Sequence, residues 1–231
     1  MLVVGFPTGA FQANCYLLAT GEGESCVIVD PGQDAVEPIT EALRKYRLNP
    51  VAALLTHGHF DHVFSVAPIC DGNDIPAWIH PDDRVLLSDP LRGVSETSMA
   101  LFGGRMELRE PSEVRELTDG GQLDLAGLTL TVDHSPGHTG GSVLFRTATE
   151  EGGQLLLAGD TLFAGSIGRT DLPGGDPRQM QQSLRERILT LDDDTVVLPG
   201  HGQTTTIGRE RVSNPFLLEL GSTPSGPRRG L

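Results

Sequence analysis

Seven side chains of this sequence carry donor atoms at spacings suited to metal-assisted chemistry. Within Thr56 to His62, reading THGHFDH, stand His57, His59, Asp61 and His62. Further along come His138 in SPGHT, Asp160 in AGDT and His201 in PGHG. Burying so many polar groups together is costly unless something satisfies them, and a metal ion does so directly. Alternate side chains of an extended segment point the same way. His57 and His59 are therefore expected to face one point, and Asp61 and His62 a neighbouring one. Mixed nitrogen and carboxylate donors make zinc the first expectation, with iron or manganese able to fill the same sites.

These residues need elements to converge. Apolar Val51–Leu55 reads as a buried strand that delivers THGHFDH on the loop at its C-terminal end. The same pattern recurs: Asp30 follows the strand Cys26–Val29, His138 follows Leu128–Asp133, Asp160 follows Gln154–Leu157, and His201 follows Thr195–Leu198. Strand ends in layered folds collect reactive groups, because their loops converge without breaking the core. Further strands are expected at Val3–Phe6, Ala13–Ala19, Ala77–Ile79, Gln122–Leu125 and Ser142–Thr147. Helical spacing covers Asp34–Arg47, stopped by Asn49-Pro50, then Val63–Ile69 and Arg178–Leu191 with Met180, Leu184, Ile188 and Leu191 inward. Short strands alternating with helices in each half suggest two sheets face to face with helices outside. One domain over residues 1–221 is expected, with a Gly/Pro/Ser-rich mobile tail at 222–231.

Residues 91–111 show no clear period and carry Gly93, Gly103 and Gly104, so they read as a lid or a surface insert. His80, before Pro81-Asp82-Asp83, and His134 are expected to make local hydrogen bonds. Asp30 is expected to hold the far ring nitrogen of a ligand histidine, or else to serve as a turn aspartate before Pro31-Gly32.

Composition narrows the partners. The chain has 231 residues, 38% of them apolar, and a net charge of -14 with no run of Lys or Arg. Such a surface repels phosphate backbones, which argues against nucleic acid. The opening MLVVGFPTGAFQANCYLL lacks a basic stretch and is broken by Pro7, Gly9, Gln12 and Asn14, so a signal peptide is not expected. No apolar run is long enough to span a bilayer, and a cytoplasmic location is the expectation. Cys15, Cys26 and Cys70 are too few for a disulfide framework and read as small buried hydrophobes.

THGHFDH, SPGHT, AGDT and PGHG in this order resemble the metallo-β-lactamase fold hydrolases over about residues 3 to 207. The resemblance implies an α/β fold, a four-layer αββα sandwich. It implies that His57, His59 and His138 hold one ion, that Asp61, His62 and His201 hold a second, and that Asp160 bridges both. Gly159-Asp160-Thr161-Leu162-Phe163 and Gly168-Arg169-Thr170-Asp171 look most like glyoxalase II and its short single-domain relatives. Those enzymes hydrolyse S-acyl thioesters such as S-D-lactoylglutathione with a hydroxide shared by two metal ions. In that likeness Asp61 also orients the nucleophile, and Arg169 grips a carboxylate of the thiol; a surface arginine is its alternative. Antibiotic-hydrolysing members generally lack an aspartate at the place of Asp160, which argues against β-lactam hydrolysis. Full-length glyoxalase II has a C-terminal helical extension with further glutathione contacts, whereas 30 residues follow His201 here. Glutathione, mycothiol and a broader thioester range therefore stay open as the thiol. A persulfide dioxygenase using one iron on His57, His138 and Asp160, and a lactonase, are the alternatives within the same likeness.

Overall fold

Both faces of the central strands are apolar, and neighbouring residues of a strand point to opposite faces. That alternation divides the core into three layers in the computed structural model, which describes residues 1–95, 108–149 and 152–222. In β2 (Ala13–Ala19), Leu17 packs outward with Ile39, Val66 and Ile69, whereas Leu18 packs inward with Leu130 and Phe145. In β10 (Gln154–Gly159), Leu155 and Leu157 join the inner layer, while Leu156 meets Met180, Leu184 and Ile188 on the opposite face.

Two six-stranded sheets carry these layers. The first runs in chain order: β1 (Leu2–Thr8), β2, β3 (Ser25–Val29), β4 (Asn49–Leu54), β5 (Ala77–Ile79) and β6 (Val114–Glu116). The second comprises β7 (Gln122–Leu125), β8 (Leu128–His134), β9 (Val143–Ala148), β10, β13 (Val196–Pro199) and β14 (Thr205–Thr206), in the order β14-β13-β10-β9-β8-β7. A small hairpin, β11 (Leu162–Phe163) with β12 (Ser166–Ile167), lies apart from both. Helices α1 (Val36–Tyr46) and α3 (Val66–Asn73) cover the first sheet. Helices α5 (Pro177–Ser183), α6 (Ile207–Ser213) and α7 (Pro215–Ser222) cover the second. This is the αββα arrangement.

Some boundaries differ from the sequence reading. Asn49 and Pro50 already belong to β4, and α1 ends at Tyr46 because Arg47 turns left-handed with φ 55°. The expected helix from Val63 splits into α2 (Phe60–Val63) and α3, so Asp61 and His62 ride on a helical turn rather than an open loop. Strands β6, β11, β12 and β14 and helices α6 and α7 had no clear periodic signal; all but α7, of eight residues, are seven residues or shorter. Pro90–Gly93 forms one 3₁₀ turn, and residues 96–107 of the expected lid or insert lie outside the described residues, as does the expected tail beyond residue 222.

All three cysteines are free and buried. Burial pushes the Cys26 and Cys70 thiols up to about 12, and the Cys15 thiol well above its ordinary value. Thiols held neutral in this way are inert packing groups. No helix among the described residues is long and apolar enough to cross a membrane.

Candidate metal centre

The strand ends converge as their sequence spacing suggests. Three ring systems, from His57 and His59 after β4 and from His138 after β8, bring their nitrogens together, with His59 Nδ1 2.8 Å from His138 Nε2. All three are at most 6% exposed. A second trio, Asp61, His62 and His201, gathers beside them: His62 Nε2 lies 3.2 Å from His201 Nε2, and His201 Nε2 lies 3.3 Å from Asp61 Oδ2. Asp160, at the end of β10, stands between the two. Its Oδ1 is 3.4 Å from His62 Nε2, and its Oδ2 is 3.4 Å from His138 Nε2 and 3.6 Å from His201 Nε2.

Local structure aims these candidate ligands. Gly159 adopts φ +46° and packs so closely on Thr56 that a Cβ there would meet its side chain at 2.5–2.6 Å. That close approach locks the Asp160 turn against the first histidine loop. The far ring nitrogens of His138 and His62 are committed elsewhere. His138 Nδ1 donates to the Arg169 carbonyl at 2.8 Å, which leaves Nε2 as a lone pair facing the site. His62 Nδ1 donates to Asp30 Oδ2 at 3.1 Å. Asp30 also accepts the Thr56 amide at 2.8 Å and the Thr56 hydroxyl at 2.6 Å; that hydroxyl in turn lies 3.1 Å from His57 Nδ1. One buried carboxylate thus orients a histidine of each trio. Its backbone is also a turn, with φ 50° before Pro31-Gly32, so Asp30 both holds a ring nitrogen of His62 and shapes the turn.

Electrostatics separate the trios. Burial, helped by the surrounding imidazoles, drives the His57 ring well below its ordinary range and lowers His59 to about 3. Burial alone would do the same to His62, but the Asp160 and Asp61 carboxylates and Asp30 outweigh it and raise it to about 10. For Asp61, burial opposes ionisation, and the His62 and His201 rings override it and hold the carboxyl low. His201 rises on the same Asp61 and Asp160 charges, against its own burial.

The donor set fits divalent cations. His57 Nε2 and Asp160 Oδ1 are buried at the centre with no hydrogen-bond partner, an expensive state that a cation relieves. Two ring nitrogens at 2.8 Å must share a proton or a metal, since two lone pairs at that distance repel. A third group, His80, Asp82 and His134, does not fit. Its rings stack in parallel at 4.1 Å and 6°, so their in-plane lone pairs run side by side instead of meeting. His80 Nδ1 accepts the Asp82 amide and His134 Nε2 donates to the Gly140 carbonyl, which are local roles.

A cleft of about 380 Å³ opens onto the centre, lined by His59, Asp61, His138, Asp160, Arg169 and His201 among others. Phe11, Phe60, Val94, Phe163, Ile167 and Leu172 supply an apolar wall, with Phe11 and Phe60 edge to face at 5.1 Å. Phe11 and Phe60 were passed over in the sequence because isolated aromatics carry no spacing signal. Arg169 reaches the cleft, but its guanidinium forms a bidentate pair with Asp171 at 2.7 and 2.8 Å, and both side chains are exposed.

Fold and site together define a metal-binding hydrolase fold, and the chain belongs to the metallo-β-lactamase superfamily, whose family model matches residues 8–201. Folds of this family bind divalent metals through such His/Asp clusters. Among its relatives, hydroxyacylglutathione hydrolase GloC of Haemophilus influenzae is 34% identical over 212 residues, covering 91% of this chain and 95% of that protein. The crystal structure of TTHA1623 in a di-iron-bound form superposes with a TM-score of 0.76 at 40% identity, covering 93% of this chain and 100% of that one. The BLEG-1 B3 metallo-β-lactamase superposes at 0.81 with 38% identity, covering 94% and 99%.

Proposed function

We propose that this protein is a dinuclear metallo-hydrolase of the glyoxalase II type, cleaving S-acyl thioesters such as S-D-lactoylglutathione to a hydroxy acid and a free thiol. The observation that carries the reading is Asp160, whose two oxygens face a histidine of each trio at 3.4 Å. His57, His59 and His138 would hold one ion, Asp61, His62 and His201 the other, and Asp160 both. Zinc suits these donors best, and iron or manganese could serve; the di-iron form of a protein 40% identical supports iron as a candidate. When bound, a metal pair lowers the pKa of a shared water to near neutrality and takes up the negative charge that develops on a carbonyl oxygen.

The side chains supply the rest. Asp61, held ionised by His62 and His201, orients the attacking water and accepts its hydrogen bond. Phe11 and Phe60 exclude water from one side of the cleft and receive the acyl group. Arg169 exchanges Asp171 for a substrate carboxylate. A thiol ionises near pH ~8.5, so the leaving group needs no proton donor, and the cleft lining includes no Lys or Glu among the described residues.

The likeness to BLEG-1 favours a second reading, β-lactam hydrolysis in the same cleft. One preparation tests both. Metal content is measured alongside turnover of S-D-lactoylglutathione, a cephalosporin, a lactone, and glutathione persulfide with oxygen uptake. Thioester turnover exceeding the others at two ions per chain supports the proposal. Oxygen uptake at one iron per chain, or β-lactam turnover exceeding thioester turnover, would sink it.

A further inference from the structure

Two loops must be held in register for the first trio to exist, and they lie far apart in sequence. One carries His57 and His59 on either side of Gly58, and the other carries His138 followed by Thr139. Between them sits a carboxylate that belongs to neither. Asp83, in α4 (Pro81–Arg84), is 2% exposed and accepts three hydrogen bonds. Its Oδ2 takes the Gly58 amide at 2.8 Å and the Thr139 hydroxyl at 2.7 Å; its Oδ1 takes the Gly141 amide at 2.8 Å.

We infer that Asp83 is a positioning residue for the first ion, a clamp that brings the His57/His59 loop and the His138 loop to one point. The inference rests on the reading of these histidines as metal ligands. The Gly58 amide lies between two of them, so its direction sets the turn that aims both rings at one centre. Thr139 is the neighbour of the third, and its hydroxyl is held from its other side by Ser142 at 2.7 Å. The Val143 amide, donating to the Thr56 carbonyl at 2.8 Å, joins the same loops at the strand ends; Asp83 joins them among the ligands. Gly141 fits the clamp because a Cβ there would lie 2.6 Å from the Asp83 carboxyl carbon. Asp30 differs in reach: it touches His62 directly and His57 through Thr56, whereas the Asp83 carboxylate holds Gly58, Thr139 and Gly141, each next to or near a member of the first trio.

An acceptor at both ends is what the clamp requires, and Asp83→Asn removes it. The amide turns an NH₂ toward the Gly58 N–H, which releases the His57/His59 loop, or toward the Gly141 N–H, which removes one of the two bonds that hold the His138 loop. Zinc uptake by the metal-free protein is titrated against a chromophoric chelator, in a His201→Ala background that isolates the first trio and a His59→Ala background that isolates the second. The expected result is an affinity loss of about 10–100-fold at the first trio and less than about threefold at the second. Thr139→Val, a milder variant, should weaken the first trio about fivefold, the size of one hydrogen bond.

Unchanged zinc affinity at the first trio in folded Asp83→Asn protein overturns the inference. So does an equal loss at both trios accompanied by a fall in Tm, which marks a merely structural carboxylate. If Asp83→Asn does not fold, Thr139→Val decides by the same criterion. Zinc uptake without thioester turnover in the parent protein defeats the proposed activity and leaves the clamp to these titrations. A parent protein that takes up no zinc defeats both.

Discussion

The two trios share a wall and differ in kind. His57, His59 and His138 are three imidazoles almost closed to solvent, and the first two are held neutral by their burial. Asp61, His62 and His201 combine a carboxylate with two imidazoles whose pKa the neighbouring carboxylates raise, that of His62 to about 10, and their side chains are 15%, 0% and 28% exposed. The first half is a buried, preformed nitrogen cage. The second is a charged network whose imidazoles lie against the Asp61 and Asp160 carboxylates. A cation therefore enters the first half by filling orphaned lone pairs, and the second by displacing protons. The exposed members of the second half, Asp61 and His201, also line the cleft.

The largest test removes a member of the cage. His59→Ala should abolish the first ion and depress hydrolysis on the order of a thousandfold or more, since a metal contributes several kcal/mol of charge stabilisation. Metal analysis should show the second trio still able to bind, because Asp160, His62 and His201 remain grouped without His59. Full activity in a variant that lacks one ion would break the division into two working halves.

Acidity separates the halves without a mutation. In the metal-free protein His62 titrates near 10, above its ordinary value, so at pH 7 it carries a proton that a metal must displace. Affinity at the second trio should therefore rise with pH, about tenfold per unit for one displaced proton, or about a hundredfold from pH 7 to 9. His57 and His59 sit below their ordinary values and are already neutral across that window. They add no pH dependence, and the first trio should change little. Chelator titrations at three pH values read both steps, and parallel slopes would show that the halves are not electrostatically distinct.

The convergence of the candidate ligands was legible in the sequence because metal chemistry restricts residue type and the strand-end loops restrict spacing. The sheets were legible too: residues 15–19 of β2, 51–54 of β4 and 155–158 of β10 are unbroken apolar runs, as strands buried on both faces must be. The supporting residues were harder to read. Asp83 follows Pro81-Asp82 and looks like an ordinary carboxylate of a helix start; only tertiary packing turns it inward against Gly58 and Gly141. Arg169 was singled out for its guanidinium, yet its carbonyl is what holds His138, and backbone acceptors leave no mark on residue type. The short elements after His201 were missed because a helix of seven residues spans too few turns for a periodic stripe to emerge.

Asp30 spans the divide and tests whether the halves are coupled. Asp30→Asn keeps one acceptor but offers an NH₂ either to the Thr56 amide or to His62 Nδ1, both of which donate to it now. Affinity should fall about tenfold in both trios, in contrast to a loss confined to one. Isothermal titration of the metal-free variant measures both steps. A loss at the second alone would show that Thr56 orients His57 unaided.

The smallest effect belongs to the rim. Arg169 is 60% exposed and its partner Asp171 69%, so solvent screens their bidentate pair and leaves it weak. A substrate carboxylate that replaces Asp171 trades one exposed ion pair for another and gains little. Arg169→Ala should therefore raise KM for an anionic thioester about threefold to fivefold with kcat unchanged, because the backbone carbonyl that holds His138 survives the substitution. Asp171→Ala should do the reverse and lower KM, by freeing the guanidinium. A neutral thioester should respond to neither. An unchanged KM for the anionic substrate in both variants would remove Arg169 from substrate binding and leave its role to the carbonyl alone. A fall in kcat would instead place the side chain's influence on the metal cage through His138, joining the rim to the first trio.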